Sequence, residues 1–153
     1  MLFIPLRLKK KIQLFCLYYS TKNMKFSTRA EYGLKAMANL AGSFPERKNL
    51  KSISLEERLS IKYLEGLIGN LRRQGLVKSF KGKKGGYVLS RDPKSIRVGE
   101  IVEILEGPIA PMKCYDKFCA MKNNCSSSLV WDKLGTQIRK TLYAIKLNEI
   151  IKK

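Results

Sequence analysis

The hydrophobic period of the chain changes abruptly near residue 75, and that change restricts the fold more than any other feature. Leu64, Leu67, Ile68 and Leu71 recur at helical spacing, so residues 61–74 are predicted as an amphipathic helix. Ser60 suits its N-cap, Arg72 and Arg73 suit its negative C-terminal end, and Gly75 suits the left-handed position beyond it. After Gly75 the pattern reads as two short strands, 76–80 and 86–89, around the glycine-bearing turn Lys81-Gly82-Lys83-Lys84-Gly85. Between Leu71 and Lys84 stand six basic residues, Arg72, Arg73, Lys78, Lys81, Lys83 and Lys84, and no acidic one. A helix followed at once by a cationic hairpin is the plan of a winged helix-turn-helix. The helix enters a DNA major groove and the hairpin lies along the backbone or the minor groove. A lysine-rich surface turn on an ordinary helix would leave the same electrostatic footprint, so the flanking residues have to decide.

Charge supports the first reading. The 31 Lys and Arg residues exceed the 12 Asp and Glu by enough to give a net charge of +19, which points to a polyanion, nucleic acid before membrane. The chain has no histidine, which removes histidine bases, catalytic triads and histidine metal ligands. No nucleophile–base pair is visible either, so neither an enzyme nor a small-molecule substrate is expected. With 153 residues, 44% of them hydrophobic, the chain can close one modest core with a long helix attached.

Residues 1–23 contain no acid and are interrupted by Lys9, Lys10 and Lys11, so no span reaches the ~20 apolar residues needed to cross a bilayer. No small-residue cleavage site follows the apolar part, which argues against a secretory signal. The segment is set apart from the fold as either an organelle transit peptide or the result of an early start, with Met24 as the working start. Cys16 within it has no assigned role.

From Met24 the pattern becomes regular. Thr28 and Glu31 form a capping-box pair, and Ala30, Leu34, Met37 and Ala41 share one helical face that ends at Gly42 and Pro45. Asn49 can cap a short helix carrying Leu50 and Ile53, and residues 58–60 turn into the helix that begins at Ile61. Two helices joined by about three residues have helix-turn-helix spacing. Past the hairpin, Asp92-Pro93 breaks the chain, residues 98–106 read as a helix stopped by Gly107-Pro108, and residues 147–151 as a final short turn. A long helix runs from 129 or 130 to 145, with Val130, Leu134, Ile138, Leu142 and Ile145 on one stripe. That stripe exceeds what a small winged-helix body covers, so pairing with a second copy is expected. The fold class is therefore mostly α with a small β-hairpin wing. Its expected organisation is an extension at 1–23, a DNA-binding domain at 24–97, and a cysteine loop with dimerisation helices at 98–153.

Cys114, Cys119 and Cys125 cluster in the loop between the last two helices. Such crowding suits a reducing compartment better than a secreted disulfide scaffold. Thiolates are soft ligands for iron–sulfur clusters, zinc or copper(I), and Lys113, Lys117 and Lys122 would favour the thiolate form. Structural zinc normally takes four protein ligands, whereas the loop offers three. A disulfide with one thiol left over remains open.

Four motifs in order carry a family resemblance: Met24-Lys-Phe-Ser-Thr-Arg-Ala-Glu-Tyr-Gly-Leu-Lys-Ala-Met, Tyr63-Leu64-Glu65, Gly85-Gly86-Tyr87-x-Leu89 and the three-cysteine loop. Together they resemble the Rrf-two family of bacterial and plastid winged-helix regulators, over all but the N-terminal extension. The resemblance implies a homodimeric transcription regulator of double-stranded DNA, with the long helices crossing at the interface. It also implies an iron–sulfur cluster, [2Fe–2S] in preference to [4Fe–4S], on Cys114, Cys119 and Cys125. In the cluster-regulator branch a histidine follows three residues after the last cysteine; here that position is Ser128. In the nitric-oxide-sensing branch an N-terminal carboxylate of the partner subunit is the fourth ligand, and the matching residue is Glu31. The family's recognition-helix positions match Lys62, Glu65 and Gly66, and its wing cation matches Lys81. Lys62 can reach guanine acceptors or a phosphate and Glu65 can accept from a cytosine amino group. Arg72, Arg73, Lys83 and Lys84 are expected on phosphates. A regulator of the same fold that senses thiol oxidation or a partner protein is the alternative, and a basic RNA-binding or ribosome-associated protein is the third reading. Bacterial cytoplasm or plastid stroma is the expected compartment.

Overall fold

The computed structural model describes residues 26–82, 84–111 and 125–151; residues 1–23 with Cys16, and Lys83, Cys114 and Cys119, lie outside them. The fold is mostly helical with one antiparallel hairpin, as expected. Its elements are α1 (Thr28–Gly42), α2 (Leu50–Glu57), α3 (Ile61–Arg73), β1 (Val77–Phe80), β2 (Gly86–Leu89), α4 (Val98–Glu106) and α5 (Ser128–Ala144). Short 3-10 turns at Pro93–Ser95 and Leu147–Ile150 complete it. Among the described residues no helix is long and apolar enough to cross a membrane.

Helix α1 starts one residue earlier than its capping pair suggests. Ser27 is the N-cap, extended, with its hydroxyl accepting from the Arg29 N–H at 3.1 Å. Thr28 is thereby the first helical residue, and Glu31 is one position too far along to reach back to the cap. Glu31 instead pairs with Lys35 one turn on, at 2.7 Å. A distant carboxylate joins the helix start: Glu106, the last residue of α4, accepts from the Ala30 N–H at 3.2 Å and from the Ser27 hydroxyl.

The helix-turn-helix follows its local signals closely. Asn49 Oδ1 accepts from the Ser52 N–H at 2.8 Å and starts α2. Arg58, at φ 54°, closes α2, and the Ser54 hydroxyl donates to the Leu59 carbonyl at 2.5 Å. This fixes a tight turn into α3 with Leu59 buried. Ser60 stands at the N-cap of α3 as expected but makes no side-chain capping bond. At the far end Gly75 takes φ +77°, and the Leu76 N–H donates to the Leu71 carbonyl at 2.9 Å. That bond ties Leu76 to the helix end, so β1 begins at Val77 rather than at 76. The strands pair Val77 with Leu89 through Phe80 with Gly86.

One apolar centre joins these pieces. Met37, Leu40, Ile53, Leu64, Ile68 and Leu71 are wholly buried, together with Ile101 from α4 and Leu147 from the last turn. Each such side chain contributes about 1.5–3 kcal/mol relative to exposure. A smaller cluster of Val98, Val102 and Ile109 receives Ile138 and Leu142 from α5 and Ile145 just beyond its end. The apolar stripe of α5 is therefore split. Its C-terminal half packs on its own chain, while Leu129 and Val130 are 62% and 57% exposed, and the helix fully buries only Gly135. Tyr143 fastens the packed half. Its ring lies over Gly99, where an added Cβ would be 2.3 Å from the ring, and its hydroxyl donates to Glu103 Oε2 at 2.5 Å.

Candidate nucleic-acid interface and cysteine loop

Burial of Leu64, Leu67, Ile68 and Leu71 on one side of α3 turns Lys62, Glu65 and Gly66 outward together. All three are exposed, and a Cβ added at Gly66 or Gly69 would meet nothing within 4 Å, so bare backbone is open along this face. A shallow groove here is lined by Arg29, Lys62, Glu65, Gly66, Asn70 and Arg73. Arg29 was not singled out from the sequence, because its place beside α3 depends on how α1 packs. Tyr63 is held edge-on by Tyr32 of α1, with ring centroids 5.8 Å apart at 85°, which fixes the start of α3 against α1.

The cations expected on phosphates have different partners. The guanidinium of Arg73 donates to the Asn70 side chain, and Arg72 Nη1 reaches the wing to donate to Ser79 Oγ at 3.1 Å. Arg72 thus braces α3 against β1 while remaining exposed. Lys81 and Lys84 are exposed at the wing tip and Lys78 on β1. The wing has a third edge that sequence periodicity does not reveal. Lys48 and Tyr87 exchange both backbone hydrogen bonds, at 2.9 and 2.8 Å. Gly86, at φ +153°, permits this approach, since a Cβ there would lie 2.8 Å from the Lys48 carbonyl oxygen.

Of the cysteine loop, Cys125 is described. Its thiol is free and half-buried at the foot of α5, 3.3 Å from the Ser127 hydroxyl, which also accepts from the Trp131 indole N–H at 3.2 Å. Hydrogen bonding from Ser127 holds the thiol below its ordinary pKa. The donor chemistry therefore fits a soft metal centre at this cysteine. Ser128 gives its hydroxyl to the Cys125 carbonyl at 2.9 Å, a helix-start bond. Glu31 is exposed and held by Lys35, whose ammonium pKa is raised by that hydrogen bond. No group of three or more His, Cys, Asp or Glu side chains suited to a metal comes together among the described residues.

Beside these features, an exposed cationic helix, a three-edged wing and a cysteine thiol before a long helix, stands a match to a known family. The Rrf2 model, described as an iron-dependent transcriptional regulator, matches residues 26–153. The chain belongs to the Rrf2 family. The regulator CymR of Bacillus subtilis is 38% identical over 128 residues, 83% of this chain and 89% of CymR. The regulator IscR of Escherichia coli is 31% identical over 134 residues, 84% of this chain and 80% of IscR. Both are HTH-type transcriptional regulators and not enzymes, in keeping with the expectation from sequence. Among solved structures, the global cysteine regulator CymR of B. subtilis superposes with a TM-score of 0.70 at 35% identity, covering 84% of this chain and 97% of that one. IscR of T. potens gives 0.64 at 41% identity, covering 82% and 84%. The Rrf2 chain described here is thus a transcriptional regulator similar to both CymR and IscR.

Proposed function

We propose that the chain is a homodimeric, sequence-specific DNA-binding regulator whose DNA affinity is set by the state of its three loop cysteines. In this reading residues 24–97 bind DNA and residues 98–153 sense and dimerise. Helix α3 enters the major groove, where Lys62 meets guanine acceptors or phosphate and Glu65 a cytosine amino group. Lys81, Lys83 and Lys84 of the wing and Arg73 meet phosphates, and Arg72 does so while bracing the wing. The observation that carries the reading is the division of α3: four apolar residues fully turned inward and Lys62, Glu65 and Gly66 fully turned outward, beside a cationic wing. The open Leu129 and Val130 on α5 support a second copy as the cover for that helix. Two recognition helices would then meet half-sites roughly one DNA turn apart.

Cys114, Cys119 and Cys125 would hold an iron–sulfur cluster, [2Fe–2S] ahead of [4Fe–4S], and the cluster supplies a redox-active group that responds to oxidants. The depressed pKa of Cys125 supports thiolate ligation. For Glu31 to be the fourth ligand it must leave Lys35, an exposed and solvent-screened pair that holds it only weakly. A second reading, direct thiol oxidation without a cluster, is favoured by the use of Ser128 as a helix-start donor where the cluster branch has histidine. It is also in keeping with the similarity to a cysteine regulator. A reducing compartment suits both, bacterial cytoplasm as for the bacterial relatives or plastid stroma.

The test is iron, acid-labile sulfide and DNA affinity of chain purified without oxygen, beside a variant with all three loop cysteines changed to alanine. Iron and sulfide in near-equal amounts, lost in the variant together with a change in DNA affinity, supports the cluster reading. Iron-free protein whose DNA affinity responds to a thiol oxidant supports the second. Protein that binds no duplex DNA in any state contradicts the proposal.

A further inference from the structure

The connection between α1 and α2 carries a cation that neither the recognition helix nor the wing accounts for. Arg47 precedes Lys48, whose backbone is locked to Tyr87 of β2, so the position of Arg47 beside the wing is fixed. Its guanidinium carbon lies 3.7 Å from the centre of the Phe80 ring, at the end of β1 and 38% exposed. Lys48, next to it, is committed to Glu56 at 2.7 Å. Arg47 is exposed and, among the described residues, pairs with no carboxylate. Contact with a ring engages the face of a guanidinium and leaves its in-plane N–H donors available. Such a group is preset, weakly hydrated and without a carboxylate partner among the described residues, and it stands beside the last strand pair of the wing, next to Lys81 at the tip.

We infer that Arg47 is a DNA-backbone contact, a phosphodiester-binding position held in place by Phe80. It extends the wing's footprint onto the α1–α2 connection. The inference rests on the DNA-binding reading above. A phosphate contact differs from mere packing of an arginine stem over an aromatic ring in one measurable respect: it releases counterions, so it contributes to the salt dependence of binding.

The experiment measures affinity of the full chain for a duplex enriched from a random pool by the wild-type protein, across a range of salt concentrations. Arg47→Met keeps an apolar stem over the ring and removes the charge, and Phe80→Ala keeps the charge and removes the platform. Arg47→Met is expected to weaken binding by roughly threefold to tenfold at physiological salt and to reduce the slope of log affinity against log salt by about 0.9 per protomer. Phe80→Ala is expected to weaken binding with the slope kept. Thermal unfolding of both variants confirms that they are folded; if Phe80→Ala is not, the Arg47→Met slope decides alone. Arg47→Met matching wild type in affinity and slope, or losing affinity with an unchanged slope, overturns the inference while leaving the DNA-binding reading intact. A wild-type chain that enriches no duplex overturns both.

Discussion

Helices α3 and α5 carry similar apolar stripes and treat them differently. Helix α3 buries all four of its stripe residues, at 0–3% exposure, whereas α5 leaves Leu129 and Val130 at 62% and 57%. The first helix is complete within one chain and spends its other side on charged residues. The second is complete only where α4 covers it. The contrast teaches that the helix-turn-helix and wing close their apolar faces within one chain, whereas the N-terminal end of α5 keeps Leu129 and Val130 open.

The largest expected effect breaks the finished side. Leu64→Ala, at a wholly buried site in the main apolar cluster, should cost about 2–5 kcal/mol by denaturant unfolding, because it leaves a cavity there. A loss under ~0.5 kcal/mol, the range typical of surface changes, would show that α3 is loosely held. Leu129→Asp with Val130→Asp addresses the open side. In a single chain these exposed positions should change stability by less than about 0.5 kcal/mol, while sedimentation shifts from dimer to monomer. An unchanged dimer, or a large loss in the monomer, would place the cover of α5 elsewhere.

A single hydrogen bond on the packed half of α5 gives a more modest effect than the core change. Tyr143→Phe removes the bond to Glu103, leaving Arg139 at 3.1 Å as that carboxylate's partner, and should cost about 1 kcal/mol. Hydrogen bonding to Glu103 raises the Tyr143 pKa from 10.0 to about 12. A raised folded-state value means the contribution is fully present below the unfolded pKa of 10 and is lost as pH rises through about 12. The stability difference between wild type and Tyr143→Phe should therefore be flat at neutral pH and narrow above pH 10. A difference that grows with pH would reverse the assignment.

What could be read in advance follows from how local each cause is. The extent of α3, its buried face and Gly75 were legible, because a 3.6-residue period and a left-handed glycine act within one turn of chain. The start of α1 lies one residue earlier than the Thr28–Glu31 pair suggests, and the N3 N–H of Ala30 is satisfied by Glu106, 76 positions away, a partner no local pattern reveals. The third edge of the wing was invisible, since Lys48 pairs through its backbone in a stretch with no period. The stripe of α5 was legible as apolar but not as divided, because spacing along a helix does not say which neighbour covers which end. At the cysteine loop, residue type indicated ligand chemistry, and only the packed helix start tied Ser128 to the Cys125 carbonyl.

The most direct test of the account concerns Lys62 and Lys81, one on the outward face of α3 and one at the wing. Affinity for a duplex selected by the wild-type chain should be measured at physiological salt for Lys62→Ala and Lys81→Ala, alongside a scrambled duplex. The account predicts a loss of roughly 1–3 kcal/mol on the selected duplex for Lys62→Ala, with a smaller change on the scrambled one. Lys81→Ala should weaken both duplexes by similar factors. Wild-type affinity retained in both variants would contradict the claim that α3 and the wing read DNA.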